Sequence, residues 1–316
     1  MAKTKYKELD YTYAVARLRA LENNLLEANG LEKLLSAASA DEAAKHLQTI
    51  GWKGGNFEEM LQSELEGLFS LIESLGGGEF LKTQRVKYDY HNLKVLIKSE
   101  LTKQNGDNLI MNLGNIGADI IKNAVINRDY RLLSEDIKSA IALAYEQYAR
   151  ISDAQAVDII FDGALFHEIN EYVKELPEEK IPVLIKMQID IHNIKTFIRV
   201  RKMGKSVGFI EKVTAAGGNI PREFYIENFN APDNQDAGVF EHTPYRKVFS
   251  QDENLELSLD NMFMEEVKAT RFGAFGIAPL AAYFWMKENE IRNVRIILIC
   301  KNAGISEEAI RSRLRG

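Results

Sequence analysis

One eleven-residue pattern occurs three times in this 316-residue chain, and it limits the fold more than any other feature. The first copy is Tyr88-Asp89-Tyr90-His91-Asn92-Leu93-Lys94-Val95-Leu96-Ile97-Lys98. The second is Ile189-Asp190-Ile191-His192-Asn193-Ile194-Lys195-Thr196-Phe197-Ile198-Arg199. The third is Asn289-Glu290-Ile291-Arg292-Asn293-Val294-Arg295-Ile296-Ile297-Leu298-Ile299. Each holds an acid, two spacers, an asparagine, an aliphatic residue, a cation, a spacer and two large apolar residues. The acids stand at 89, 190 and 290, spacings of 101 and then 100 residues. A lone acid-x-x-Asn is noise. Three, with matching neighbours at nearly constant spacing, mark three copies of one structural unit.

At about 100° per residue on a helix, Asp190, Asn193, Ile194 and Phe197 share one face. Asp89, Asn92, Leu93 and Leu96 do the same, as do Glu290, Asn293, Val294 and Ile297. The cations Lys94, Lys195 and Arg295 point away. Each acid–Asn pair therefore lies beside an apolar stripe, where polar groups need hydrogen-bond partners. The pair reads as a polar latch that holds a neighbouring segment; the competing reading is a ligand or metal site. Three equivalent sites suit architecture better than catalysis. Asp89, Asn92, Asp190, Asn193, Glu290 and Asn293 are accordingly taken as structural repeat positions, with no catalytic, cofactor or metal residue assigned.

The period divides the chain into three expected units, 1–104, 105–205 and 206–316. With 46% hydrophobic and 27% charged residues, the composition is that of an ordinary globular protein. A net charge of -6 argues against a nucleic-acid binder, which carries a basic excess. The single cysteine, Cys300, excludes an internal disulfide and a thiolate zinc site. The first ten residues lack the apolar core of a signal peptide, and no stretch approaches the ~20 apolar residues of a membrane span. The expectation is a protein in the cytoplasm or on a cytoplasmic face.

Helical signals run throughout, and no strand is expected. Tyr11 to Ala28 reads as one long helix stopped by Asn29-Gly30, and Leu31 to Ala37 as a short second one. Ser39 and Glu42 form a capping box, and Phe57 to Leu75 is helical. The first repeat helix is expected from about Glu79 to Lys103. Further helices are expected over about 118–127, 134–150 and 154–175 before the second repeat helix, about Ile181 to Met203. Gly217-Gly218-Asn219-Ile220-Pro221 is a turn that echoes Gly114-Asn115-Ile116. Asn228 to Thr243 reads as a mobile polar loop. Leu255 to Thr270 is a helix, and Pro279 opens the last repeat helix, which runs to about Asn302.

Catalytic signatures do not emerge. Asp89 with His91 and Asp190 with His192 resemble paired ligands, but residues i and i+2 on a helix do not face each other. The third copy has Arg292 in the histidine's place. No His-Glu-x-x-His, P-loop or dinucleotide fingerprint is present, and Asp260 to Glu265 is a poor imitation of an Asp-rich magnesium motif. The basic residues Arg199, Arg201, Lys202 and Lys205 offer either a patch for an acidic partner or complements to a helix C-terminal dipole.

Two stretches carry a family resemblance. Tyr11 to Glu22, with Leu25-Leu26 and Ala43 to Gly51, resembles the opening of the central-stalk family of rotary ATPases. That family comprises the C subunits of archaeal and bacterial A/V-type enzymes and the d subunits of eukaryotic vacuolar ones. Glu290 to Ile297, followed by Gly304-Ile305 and Ile310-Arg311, is similar to its closing helix. The resemblance implies an all-α protein of three similar helical bundles, arranged with pseudo-threefold symmetry as a funnel. It also implies a non-catalytic adaptor, without cofactor or direct nucleotide binding. Such an adaptor stands on the membrane rotor ring at the cytoplasmic face and receives the central shaft. It transmits torque for ATP-coupled H+ or Na+ transport. A free helical scaffold and an unrecognised helical enzyme remain the alternatives.

Overall fold

Helix starts follow from short polar side chains placed to satisfy the first free N–H groups. Ser39, Asn56, Ser134, Asp153, Asn254 and Ser306 each accept a backbone N–H of the turn that follows. The computed structural model describes residues 11–26, 28–232, 236–249, 254–273 and 275–316. Among these the protein is all-α, with no strand. In chain order the helices are α1 Thr12–Glu22, α2 Ala28–Ser36, α3 Ala40–Thr49, α4 Phe57–Ser74, α5 Gly78–Thr102 and α6 Ala118–Asn127. Then come α7 Glu135–Ile151, α8 Ala154–Glu175, α9 Lys180–Lys202, α10 Val207–Val213 and α11 Arg222–Glu227. The rest are α12 Asp236–Val239, α13 Arg246–Phe249, α14 Leu255–Thr270, α15 Ala278–Asn302 and α16 Glu307–Arg311. The three repeat stretches lie in α5, α9 and α15. None of the described helices is long and apolar enough to cross a membrane.

The chain divides into two compact units. One comprises Met1–Gly78, Pro177–Leu184 and Lys247–Gly316. It is built around α15, which α1, α2, α3, α4, α14 and α16 surround. That helix is buried on nearly every side, so it lacks the usual polar stripe. Phe284 meets Phe69 edge-on at 5.1 Å, and Trp285 meets Phe263 at 5.5 Å. Its first turn is capped from far along the chain: the N–H groups of Ile277 and Ala278 both donate to Glu178 at 3.0 Å, where the helix dipole favours an anion.

The other unit comprises Glu79–Leu176 and Ile185–Arg246. Val86, Tyr90, Leu93 and Ile97 of α5 pack with Ile121 of α6, Ile137 and Ile141 of α7, and Val157 and Phe161 of α8. A second cluster forms around Phe197 of α9. Its ring lies 6.0 Å from Tyr225, 5.9 Å from Phe229 and 5.7 Å from Phe240.

Three expectations need correction. The first helix does not run to Ala28 but ends at Glu22, and α2 begins at Ala28, so Asn29-Gly30 lies inside a helix rather than after one. The break has a tertiary cause: the Leu26 N–H donates to Glu290 Oε2 at 2.7 Å, a bond that a continuous helix would not release. The polar stretch Asn228 to Thr243 contains helix α12 and is anchored by the buried rings of Phe229 and Phe240; its residues 233–235 lie outside the described set. Arg201 is no part of a surface patch. Its guanidinium is buried, paired with Asp236 at 2.5 Å, and donates to the Ala231 carbonyl.

Truncating the ring at the centre of the second cluster, Phe197→Ala, is expected to destabilise the fold by about 3–5 kcal/mol in urea unfolding. Leu132→Ala, at a side chain 72% exposed, is expected to stay within ~0.5 kcal/mol of the parent.

Candidate functional site

All six repeat positions are buried: Asp89 and Asn92 on α5, Asp190 and Asn193 on α9, Glu290 and Asn293 on α15. The asparagines behave alike. Asn92 Nδ2 donates to the Met111 carbonyl at 2.7 Å, and the Met111 N–H returns to Asn92 Oδ1 at 2.9 Å. Asn193 exchanges the same two bonds with Ala215, each 2.8 Å. Asn293 exchanges them with Arg315, at 2.7 and 3.0 Å. In each copy one side-chain amide thus satisfies both the donor and the acceptor of one backbone residue. The partners lie 19, 22 and 22 residues downstream.

The acids are alike in two copies. Asp89 accepts the N–H groups of Asn115 at 3.0 Å and Ile116 at 2.9 Å, one on each oxygen. Asp190 accepts those of Asn219 at 3.1 Å and Ile220 at 3.0 Å in the same manner. It also receives Asn219 Nδ2 at 3.0 Å and the Tyr245 hydroxyl at 2.9 Å. The residue before each pair is glycine for a steric reason. A Cβ on Gly114 would lie 2.0 Å from Asp89 Oδ1, and one on Gly218 would lie 2.1 Å from Asp190 Oδ1. The Gly-Asn-Ile turns are therefore parts of the acid sites. The sequence carried that signal, since the turn recurs 25 and 28 residues after the two aspartates, but recurrence alone did not tie turn to acid.

The third copy differs. Glu290 accepts the Leu26 N–H at 2.7 Å and Lys287 Nζ at 2.7 Å. Lys287 also pairs with Glu64 at 2.9 Å and lies 4.8 Å from the centre of the Trp52 ring. Burial pushes the Glu290 carboxyl above its ordinary range. Burial also works against the charged Lys287, but the carboxylates of Glu290 and Glu64 outweigh it and hold its pKa above normal.

Elsewhere in the motif, Lys94 pairs with Asp162 at 2.7 Å and Arg295 with Glu58 at 2.9 Å, so two of the outward cations reach acids of other helices. Lys195 is half-buried. His91 Nε2 lies 2.8 Å from the Leu109 carbonyl, and His192 packs on Phe166 at 4.6 Å. Among the described residues no group of three His, Cys, Asp or Glu is placed to hold a metal ion.

What this geometry can do is hold backbone segments against three long helices, its acids and amides being committed to main-chain groups. The class so defined is an all-helical protein organised by internal repeats. More particularly, the chain belongs to the ATP synthase (C/AC39) subunit family, whose profile matches residues 14–313. The family is one of non-catalytic subunits. The chain is similar to the C subunit of the V-type sodium ATPase of Enterococcus hirae, at 26% identity over 94% of this chain and 96% of that relative. It is similar to the C subunit of the A-type ATP synthase of Methanosarcina acetivorans, at 21% identity over 99% of this chain and 94% of the relative. The corresponding protein of Thermococcus kodakarensis is 22% identical over 98% of this chain and 91% of its own length.

Two measurements check the site. Gly114→Ala and Gly218→Ala are each expected to lower the unfolding midpoint, because the new methyl displaces the turn from the carboxylate. Gly163→Ala, inside α8 with nothing within 4 Å of the added carbon, is expected to be neutral or to stabilise by up to about 1 kcal/mol.

The second check concerns pH. Burial raises the Asp89 carboxyl from 3.8 to about 7, against the opposing pull of the two N–H donors. The folded protein then holds a proton that the unfolded chain releases between about pH 4 and pH 7. This group's contribution to stability is fully present below about pH 4 and is lost as pH rises through 7. The expected result is a fall in unfolding free energy over that window, absent from Asp89→Asn. Parallel pH profiles for the two proteins would show that the carboxyl stays ionised.

Proposed function

We propose that this chain is the central-stalk C subunit of a V/A-type rotary ATPase. In this reading it stands between the rotating central shaft and the membrane rotor ring and transmits torque for ATP-coupled H+ or Na+ movement. It lies on the cytoplasmic face as a peripheral subunit and takes part in no bond-making step. The family match along residues 14–313 is the observation that carries this reading.

The contact pattern supports it. Taking the three repeats as 1–104, 105–205 and 206–316, the first acid–Asn pair binds residues 111–116, across the first boundary. The second pair binds residues 215–220, across the next. Glu290 of the third repeat binds Leu26 of the first. The acid of each repeat thus holds a segment of another repeat, the third holding one of the first, which supports the three-repeat reading. We assign Asp89, Asn92, Asp190, Asn193, Glu290 and Asn293 this structural role. Stiffness suits an adaptor under torque, and close-packed helices of about 35 Å supply it.

The test is purification from native membranes through an affinity tag on this chain. Shaft and rotor-ring subunits are expected to co-purify, and removal of the chain is expected to uncouple ATP hydrolysis from ion transport. Recovery of the chain free of both would favour an independent scaffold and overturn the assignment.

A further inference from the structure

The third acid–Asn pair borders an opening. A cavity of about 500 Å³ is lined by Glu290 and Asn293 together with the apolar side chains of Leu25, Leu31, Leu35, Met264 and Met286. Lys268 and Arg271 also line it. Most charges around it are matched. Glu22 pairs with Arg19 at 2.8 Å, Glu32 with Arg311, Glu290 with Lys287 at 2.7 Å, and Arg315 with Asp260 at 2.6 Å. Among the described residues, Lys268 and Arg271 have no carboxylate partner. The Arg271 guanidinium lies over the Phe272 ring at 4.7 Å, and that ring is 69% exposed. Its Nε–H is buried with no hydrogen-bond partner among the described residues. Two cations that line a cavity without an acidic partner favour an anion there.

The other two copies indicate what kind of molecule fits. There, a turn of polypeptide lies against the acid and gives it two consecutive N–H groups. In the third copy one backbone N–H, that of Leu26, reaches the acid. Each Glu290 oxygen keeps a second lone pair, beside a cavity with leucine and methionine walls.

We propose that this cavity seats a loop of a partner polypeptide that carries a carboxylate next to an aliphatic side chain. The carboxylate meets Arg271 and Lys268, the aliphatic group enters between the Leu and Met side chains, and the loop backbone takes the place that a Gly-Asn-Ile turn fills in the other two copies. The binding chemistry is independent of torque transmission, so it is tested on the isolated full chain.

The probe is the end-capped, fluorescein-labelled hexapeptide Ala-Leu-Gly-Glu-Leu-Ala, followed by fluorescence anisotropy. Saturable binding is expected, weakened about tenfold or more in Lys268→Gln/Arg271→Gln, the loss of a charge-assisted contact. The same peptide with Lys in place of Glu is expected not to saturate. Thermal melts verify that the variants fold; should Arg271→Gln unfold the chain, Lys268→Gln, at an exposed position, carries the comparison alone. No saturable binding, or equal binding to parent and variants, overturns the proposal. So does decanoate binding that depends on both cations without peptide binding, which reassigns the cavity to an amphiphile.

Discussion

The rest of the structure depends on the buried hydrogen bonds between side chains of three long helices and the main chain of distant segments. A carboxylate taken out of water costs several kcal/mol unless donors surround it. A loop brought against a helix leaves its own N–H and C=O groups needing partners. The two problems solve each other here. Asp89 and Asp190 each take a pair of consecutive N–H groups, and Asn92, Asn193 and Asn293 each complete both polar groups of one loop residue. Removing either side leaves the other buried and unmatched, so the acid, the amide and the turn act as one element.

That coupling also explains why helices buried on most sides carry polar residues in their middles. α15 presents Phe284, Trp285, Val294 and Leu298 to its neighbours, yet buries Glu290 and Asn293 among them. An apolar pair would pack equally well with the helix rotated or shifted. A carboxylate that must meet the Leu26 N–H and the Lys287 ammonium, beside an amide that must meet both polar groups of Arg315, fixes one register, in line with the use of buried polar groups as registry devices. Packing supplies the bulk of the stability, and these six side chains select one arrangement of it.

Much of the fold was legible because helix signals are local. Ser39 accepts the Glu42 N–H at the start of α3, as the Ser-x-x-Glu spacing marks, and α6, α8 and α14 occupy the spans read for them. The repeat exposed the six key positions because recurrence is visible without coordinates. What could not be read is what those residues bind. Nothing near Glu290 points to Leu26, 264 residues away, and that contact is what ends α1 early. Arg201 looked like a surface cation because Asp236 and Ala231, which enclose it, lie 35 and 30 residues off in a stretch of loop-like composition. Gly114 and Gly218 read as ordinary turn glycines, since sequence alone does not show a carboxylate about 2 Å from an imagined methyl group.

The difference between the third pair and the other two follows from chain entropy. The first two acids close loops of 26 to 30 residues, whereas the third closes one of 264. On the logarithmic dependence of closure entropy on length, the longer loop costs about 2 kcal/mol more. Several further contacts hold that joint. Lys287 bridges Glu290 and Glu64, and Arg295 pairs with Glu58. Lys301 donates to the Leu35 and Ala37 carbonyls at 2.6 and 2.5 Å. Arg311 pairs with Glu32, and Arg19 donates to the carbonyls of Arg271 and Gly273. Glutamate in place of aspartate belongs to the same adaptation: its extra methylene lets one carboxylate reach both a backbone N–H from the opposite part of the chain and the ammonium of its own helix. A joint made by distant segments cannot rely on a tight turn to present two N–H groups together, so it substitutes an ion pair for one of them.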